Sequence, residues 1–435
     1  MSRLTFVLLL LIPLVANAEN WPQFRGPSFN GSTTETNLPS NWSTTENVVW
    51  STDMPGASAA VPNVWEDKVF VSSTERDKDA LLAMCIDRKS GYVLWKHTVA
   101  QGVRRDRRSN FAAPTPATDG EVVVFFYGNG PLVAYDLDGK ELWKRNIPDD
   151  YGDFAFLWTF STSPLLYDGK LYLQVLQRDT AVKGRGFEDQ VNHSYLLALD
   201  PKTGKEIFKV VRPSNAKEES REAFTTPTPF TNNGREELLV IGGDALSGHD
   251  PDTGKELWRW GTWNPERIGH WRLVPSPVAG GGVILACAPK KEPIYAIKAG
   301  GNGILADEAI AWTSVDPRVV SSDVPTPAFA YGDFFILNKD RKVMARVEPK
   351  TGAIKWQVRI PSNADYEASP TVADGKIYIV DFKSRVVVLD AESGKKINEI
   401  VMDEPHDDAA RSTIVAAHGQ LFIRTPTKLF CIAKK

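Results

Sequence analysis

Leu196-Leu-Ala-Leu-Asp-Pro-Lys-Thr-Gly-Lys-Glu-Ile-Phe208 returns downstream as His249-Asp-Pro-Asp-Thr-Gly-Lys-Glu-Leu-Trp258 and again as Val347-Glu-Pro-Lys-Thr-Gly-Ala-Ile-Lys-Trp356. Looser copies are Cys85-Ile-Asp-Arg-Lys-Ser-Gly-Tyr-Val-Leu-Trp95, Ala134-Tyr-Asp-Leu-Asp-Gly-Lys-Glu-Leu-Trp143 and Val388-Leu-Asp-Ala-Glu-Ser-Gly-Lys-Lys-Ile397. A second signature precedes the copies: a proline, an Asp-Gly or equivalent turn, and an alternating apolar run. Ser163-Pro-Leu-Leu-Tyr-Asp-Gly-Lys-Leu-Tyr-Leu173 and Ser369-Pro-Thr-Val-Ala-Asp-Gly-Lys-Ile-Tyr-Ile379 show it best. Each unit therefore reads strand, Asp-Gly turn, strand, variable loop, strand, Asp-x-x-Thr-Gly turn, strand. Glycine supplies the positive φ of such turns, and Asp bonds the backbone of its own turn. A four-stranded antiparallel meander repeating every forty to fifty residues, roughly, is the unit of a β-propeller.

Eight units are counted, starting near Ala59, Thr115, Ser163, Thr226, Ser276, Thr326, Ser369 and Ser412. The eighth has sequence for only three strands, whereas Asn47-Val-Val-Trp-Ser-Thr52 is an orphan last strand with its own aromatic. The expected fold is all-β, an eight-bladed propeller of four-stranded antiparallel blades, with the N-terminal strand joining the C-terminal blade to close the ring. Closure removes two open sheet edges, which are an aggregation liability. The competing reading is a loose arm over residues 19–50 and seven blades. Trp50, Trp95, Trp143, Phe208, Trp258, Trp312 and Trp356 are the repeat aromatics. Each is expected to pack on the neighbouring blade over its glycine turn, contributing about 2–3 kcal/mol.

Composition agrees with a folded protein. Among 435 residues, 51 bases stand against 54 acids, and 42 % are hydrophobic. That balance excludes disorder as the main state and argues against a nucleic-acid binder, which carries a basic excess. Residues 1–18 read as a signal peptide: Arg3, the apolar run Leu4 to Val15, then Ala16-Asn17-Ala18. Cleavage after Ala18 makes 19–435 a single propeller domain, periplasmic or secreted, without a transmembrane segment and expected to be a monomer. Cys85, Cys287 and Cys431 lie far apart and read as buried strand residues rather than a disulfide framework. The six scattered histidines show no metal-ligand spacing.

The Ala-x-Asp-x-x-Thr-Gly-Lys-x-x-Trp units resemble the PQQ-like, or quinoprotein alcohol dehydrogenase-like, propeller repeats. These occur in PQQ-dependent alcohol dehydrogenases and in the β-propeller subunit of the outer-membrane barrel assembly machinery. The resemblance covers nearly all of the chain after the leader, and Trp21-Pro-Gln-Phe-Arg-Gly-Pro27 resembles the start of exported bacterial propellers. It implies either of two activities, since one scaffold hosts enzymes and binding modules alike. The dehydrogenases show a vicinal Cys-Cys disulfide, a calcium held by carboxylate and amide groups, and an Asp base. No adjacent cysteines exist here, while Asp323 and Glu367 are acids that immediately precede inner strands. The favoured expectation is an exported binding or assembly scaffold without catalysis and without a required cofactor. The alternative is a dehydrogenase using PQQ with calcium on alcohols or sugars, and the third is a carbohydrate-binding or carbohydrate-processing module.

Propeller geometry narrows the site. The connections from the rim strand of one blade to the axial strand of the next share one face, and irregular connections carry function. Gln101–Asn110 contributes Arg104, Arg105, Arg107 and Arg108; Asp150–Phe160 contributes Trp158; Asn264–Arg272 contributes His270, Trp271 and Arg272; Arg411 precedes the last axial strand. Aromatic faces beside guanidiniums suit a small anionic or sugar-like ligand, or a protein partner with an acidic peptide. The competing reading has Phe154, Phe156 and Trp158 plugging the central channel.

Overall fold

The computed structural model describes residues 19–434 other than Arg105 and Pro405; the expected leader lies outside the described residues. Among the described residues the strands gather into eight sheets arranged as consecutive blades, and within each blade the four strands run antiparallel from axis to rim. Blades 1 to 7 span residues 63–101, 117–146, 165–211, 228–260, 278–313, 328–359 and 371–401. Blade 8 takes its three inner strands from residues 415–433 and its rim strand from Val48–Asp53. That rim strand pairs with Lys428–Ala433, setting Trp50 opposite Cys431. The ring has eight blades and the N-terminal strand closes it.

Inner strands are buried on both faces because each sheet packs against two neighbours. Val122–Phe126 is buried along its whole length, which is why it reads as a continuous apolar run rather than an alternation. The core is therefore a series of wedges between blades. One such wedge joins Val124 and Phe126 of blade 2 to Leu171 and Leu173 of blade 3, capped by Phe154, Phe156 and Phe160.

The repeat aromatics lock one blade to the next. Trp50 covers Gly91 so closely that a Cβ there would meet the indole at 2.7 Å. The same overlap pairs Trp95 with Gly139, Trp143 with Gly204, Phe208 with Gly254, Trp312 with Gly352 and Trp356 with Gly394. Each of the five tryptophans also donates its indole N–H to a carbonyl of the turn it covers, at 2.6 to 3.2 Å. Two junctions depart from this pattern. Blade 5 lacks the Thr-Gly turn; Trp258 bonds Glu237 of its own blade at 2.5 Å, and its strand pairs at the rim with a fifth, parallel strand, Gly303–Leu305, with Trp258 opposite Gly303. Blade 8 has no chain between its two outer strands, and blade 7 offers Asn398 instead, bonded to Ser40 and Asn41.

Residues 19–47 are not a loose arm. They cross the axis and touch the innermost strands of most blades. Trp21 pairs with Val64 of blade 1, and Pro22 accepts from Asn63 and from Thr118 of blade 2. Gln23 bonds Leu166 of blade 3. Arg25 reaches Pro327 of blade 6 at 2.7 Å and Pro370 of blade 7 at 3.2 Å, and Glu35 takes two amides of blade 8. The Arg25 guanidinium is 2 % exposed and meets carbonyls rather than a carboxylate; burial pushes its pKa down to about 9. The channel is thus closed by the N-terminal segment. The aromatics Phe154 and Phe156, one of the sequence readings for that task, are packed in the wedge between blades 2 and 3.

Candidate functional site

Above this floor lies an axial cup of about 200 Å³. Its wall repeats around the ring: each of the eight connections into an axial strand contributes one residue, from Ala59 to Arg411, and seven of them also contribute the residue two positions later, the exception being Ser276 of blade 5. The lower tier is Val61, Thr115, Ser163, Thr226, Thr326, Ser369 and Thr413, with Phe24 of the N-terminal segment also lining the cavity. A chain of hydrogen bonds runs through this tier. The Val61 amide donates to the Thr115 hydroxyl, the Thr115 amide to Ser163, Ser163 to Thr226, and Thr226 to Ser276. It continues from Ser276 to Thr326, from Thr326 to Ser369 and from Ser369 to Thr413, every bond between 2.9 and 3.2 Å. The Ser-Pro and Thr-Pro pairs of the repeat thus serve two ends: proline fixes the entry of the strand, and the hydroxyl caps the amide of the blade before.

The upper tier carries the charge. Arg108, Trp158, Arg272, Glu367 and Arg411 line it. The Trp158 indole N–H donates to Glu219 at 2.8 Å, Arg272 pairs with the same carboxylate at 3.2 Å, and the Arg108 guanidinium stands 5.3 Å from the Trp158 ring centroid. Across the mouth, Arg411 pairs with Glu367 at 2.8 Å and lies 4.6 Å from the Phe382 ring. Lys290 adjoins this group; its ammonium is held below the ordinary value by desolvation and by the nearby Arg272 and Arg108. Arg108, Arg272, Arg411 and Lys290 against Glu219, Glu367 and Asp323 leave the mouth positive.

Two buried carboxyls hold the loops that carry this tier. Glu222 accepts from Arg178 at 2.5 Å and from the Leu157 amide at 3.0 Å, its second oxygen has no partner, and burial raises its pKa. Asp244 accepts from Asn264 at 2.8 Å, and Asn264 in turn grips Ile268 a few residues before Arg272. Burial pushes the Asp244 carboxyl up to about 6.

Of the residues singled out from sequence, Arg108, Trp158, Arg272, Arg411 and Glu367 meet at the cup. Arg104 is drawn aside to Asp408, which it shares with Arg76. Arg107 and His270 face solvent, and Arg105 lies outside the described residues. Trp271 is half-buried, its amide donating to the Ser220 hydroxyl at 2.7 Å. Asp323 is outside the cup wall, accepting from the Lys290 amide with Lys339 at 3.8 Å. The sequence reading missed Phe24, Glu219, Glu222 and Asp244. The hydroxyl tier had a signal in the recurrent Ser-Pro and Thr-Pro pairs; Phe24 had none.

The donor set can be tested against a metal and a redox disulfide. Among the described residues no group of three or more His, Cys, Asp or Glu stands close enough to hold an ion. Cys85, Cys287 and Cys431 are buried and unpaired, and burial pushes each thiol up to about 12. Among the described residues, no helix is long and apolar enough to cross a membrane.

Comparison with known proteins agrees with this architecture. The family model described as outer membrane protein assembly factor BamB matches residues 32–177. A polyvinylalcohol dehydrogenase from a Pseudomonas species is 29 % identical over 166 residues, 37 % of this chain and 24 % of the relative. The chain therefore aligns with about a quarter of that relative's length. Among solved structures, a europium-containing methanol dehydrogenase superposes with a TM-score of 0.67 at 11 % identity, covering 96 % of this chain and 98 % of the other. BamB from Moraxella catarrhalis superposes with a TM-score of 0.57 at 13 % identity, covering 88 % and 99 %.

Proposed function

We propose that this ring of PQQ-like repeats is an exported single-domain quinoprotein-type propeller whose axial cup binds a planar, multiply charged organic anion and which oxidises a hydroxyl-bearing substrate. The observation that carries the reading is the mouth of the cup, lined by Arg108, Arg272 and Arg411 together with the half-buried Trp158, above a closed floor. Guanidiniums pair with carboxylates in a fixed fork geometry, and an indole offers a stacking face to a conjugated ring. PQQ is a member of that ligand class, and a curated relative is a polyvinylalcohol dehydrogenase. When bound, PQQ supplies the electron acceptor for removing two electrons from an alcohol.

The residues fit the organic anion and do not fit the calcium that accompanies it in the dehydrogenases. Glu367, the acid in the wall, is already held by Arg411. Within the cup the arginines orient the anion, Trp158 covers one face, and Glu367 is placed to take a hydroxyl proton only if Arg411 turns away.

The test uses the protein beginning at Glu19, incubated with PQQ with and without Ca²⁺. Binding is read from melting temperature and dye reduction from added secondary alcohols and polyvinyl alcohol. PQQ is expected to protect the wild type, by about 2.7 kcal/mol at a hundredfold excess over Kd, and to fail to protect Trp158→Ala or Arg272→Ala although both fold. Absence of protection and of dye reduction in the wild type refutes the reading. The second reading, a scaffold for a protein partner, is favoured by the exposed apolar strip Tyr92, Val93 and Leu94 on the rim of blade 1 beside Val49 of blade 8.

A further inference from the structure

The lower tier of the cup has an asymmetry that the mouth does not explain. Thr115, Ser163, Thr226, Thr326, Ser369 and Thr413 are between 2 and 6 % exposed, and each hydroxyl oxygen accepts one backbone amide from the blade before it. A hydroxyl has one hydrogen to give. None of these six hydrogens has an acceptor among the described residues, although buried donors are nearly always satisfied. All six residues line the cavity.

We propose that this hydroxyl crown is an oxyanion subsite at the base of the cup, taking the oxygens of a carboxylate or phosphate that enters past the arginines. The inference rests on the cup being a ligand site and adds which end of the ligand goes in first. The sign of the preferred ion follows from the bonding. Each oxygen already has the positive end of an N–H dipole pointed at it, which weakens it as a cation ligand and leaves donation as its free capacity. Several donors lining one cavity favour negative charge within it, as in backbone anion nests. Val61 is the one wall position of the tier without a hydroxyl; there the ring is completed by Ser412 donating to the Ala60 carbonyl at 2.9 Å.

The experiment measures binding of sodium formate and sodium phosphate to the purified chain at constant ionic strength, by calorimetry and by melting temperature. A parallel series varies the cation at fixed chloride. Both oxyanions are expected to bind, and the cation series to have no effect. Thr326→Val should weaken binding about tenfold, the worth of one charge-assisted hydrogen bond, and Thr326→Ser should restore it. Because Thr326→Val also removes an acceptor from the Ser276 amide, Val61→Thr provides an arm that does not depend on that loss. Adding the missing hydroxyl should tighten both anions. Cation-dependent stabilisation, no anion binding, or unchanged affinity in Thr326→Val and Val61→Thr overturns the proposal. Failure of the dehydrogenase reading looks different: formate and phosphate bind and PQQ does not. PQQ binding with equal affinity in wild type and Thr326→Val, without simple anions binding, leaves that reading intact and removes the crown.

Discussion

Replacing Gly91 by alanine separates two costs that a propeller turn normally hides. The residue has φ +77°, and a Cβ would stand 2.7 Å from the Trp50 indole. Alanine in the left-handed region costs about 1–2 kcal/mol, and displacing a packed side chain costs about 1–3 kcal/mol more. Gly91→Ala should therefore destabilise by about 2–5 kcal/mol. Gly169 provides the control: φ is +69° and nothing lies within 4 Å of its virtual Cβ. Gly169→Ala should cost only the backbone part, about 1–2 kcal/mol. Trp50→Ala alone should cost about 3–5 kcal/mol, as large aromatic truncations do. Adding Gly91→Ala to Trp50→Ala should then bring the second substitution down to the Gly169 value, since the group it collided with is gone. Urea unfolding of the four variants and the wild type reads all of this as midpoints and slopes, and the cycle isolates the coupling. Equal costs at Gly91 and Gly169, or no change in the Gly91 cost when Trp50 is absent, would refute the account of how the blades are locked together.

Deleting residues 19–53 should lower the melting temperature of the whole ring and promote association, because it opens blade 8 and exposes the Lys428–Ala433 edge; gel filtration and calorimetry check it, and an unchanged melting point with a monomeric profile contradicts it. Asp244 has a folded pKa raised to about 6, above the unfolded value of about 3.9, so the native state holds its proton longer. Stability should accordingly fall as pH rises between those two values, and Asp244→Asn should flatten that part of the profile in urea titrations at stepped pH. Cys85, Cys287 and Cys431 should be inert to a thiol reagent in the native protein and react together on unfolding, since each is buried with its thiol pushed up to about 12; fast labelling of any one without denaturant contradicts the burial.

The blades were legible because turns announce themselves. Thr-Gly and Asp-Gly mark the places where the backbone needs positive φ, and the spacing of Trp95, Trp143 and Trp356 repeats a contact that each of their blades makes with the next. Even the orphan strand could be placed, since Trp50 stood where a repeat aromatic belongs. Blade 5 escaped the pattern because residues 299–309 replace its glycine turn, and nothing in Trp258 itself reveals that it bonds its own blade. The site was half legible. Arg108, Trp158, Arg272, Arg411 and Glu367 could be assigned to one face from topology alone. Which of the four loop arginines turns inward depends on Asp408, a residue some three hundred positions away that claims Arg104. Arg25 could not be placed, because its partners are carbonyls of blades 6 and 7, and carbonyls leave no mark in a sequence; Phe24 lies outside the repeat, so no periodicity points to it.

Blade 8 also sets the order in which the molecule can be finished. Its rim strand, Val48–Asp53, precedes all seven other blades along the chain, and its partner, Lys428–Ala433, follows them. The strand beginning at Val48 must wait through the synthesis of seven blades before its hydrogen bonds can form. Throughout that interval the growing protein is an open arc with two unpaired edges, able to pair wrongly with a neighbour. Pairing with Lys428–Ala433 converts the arc into a circle, so a chain cut before that strand is an open ring rather than a slightly weaker one.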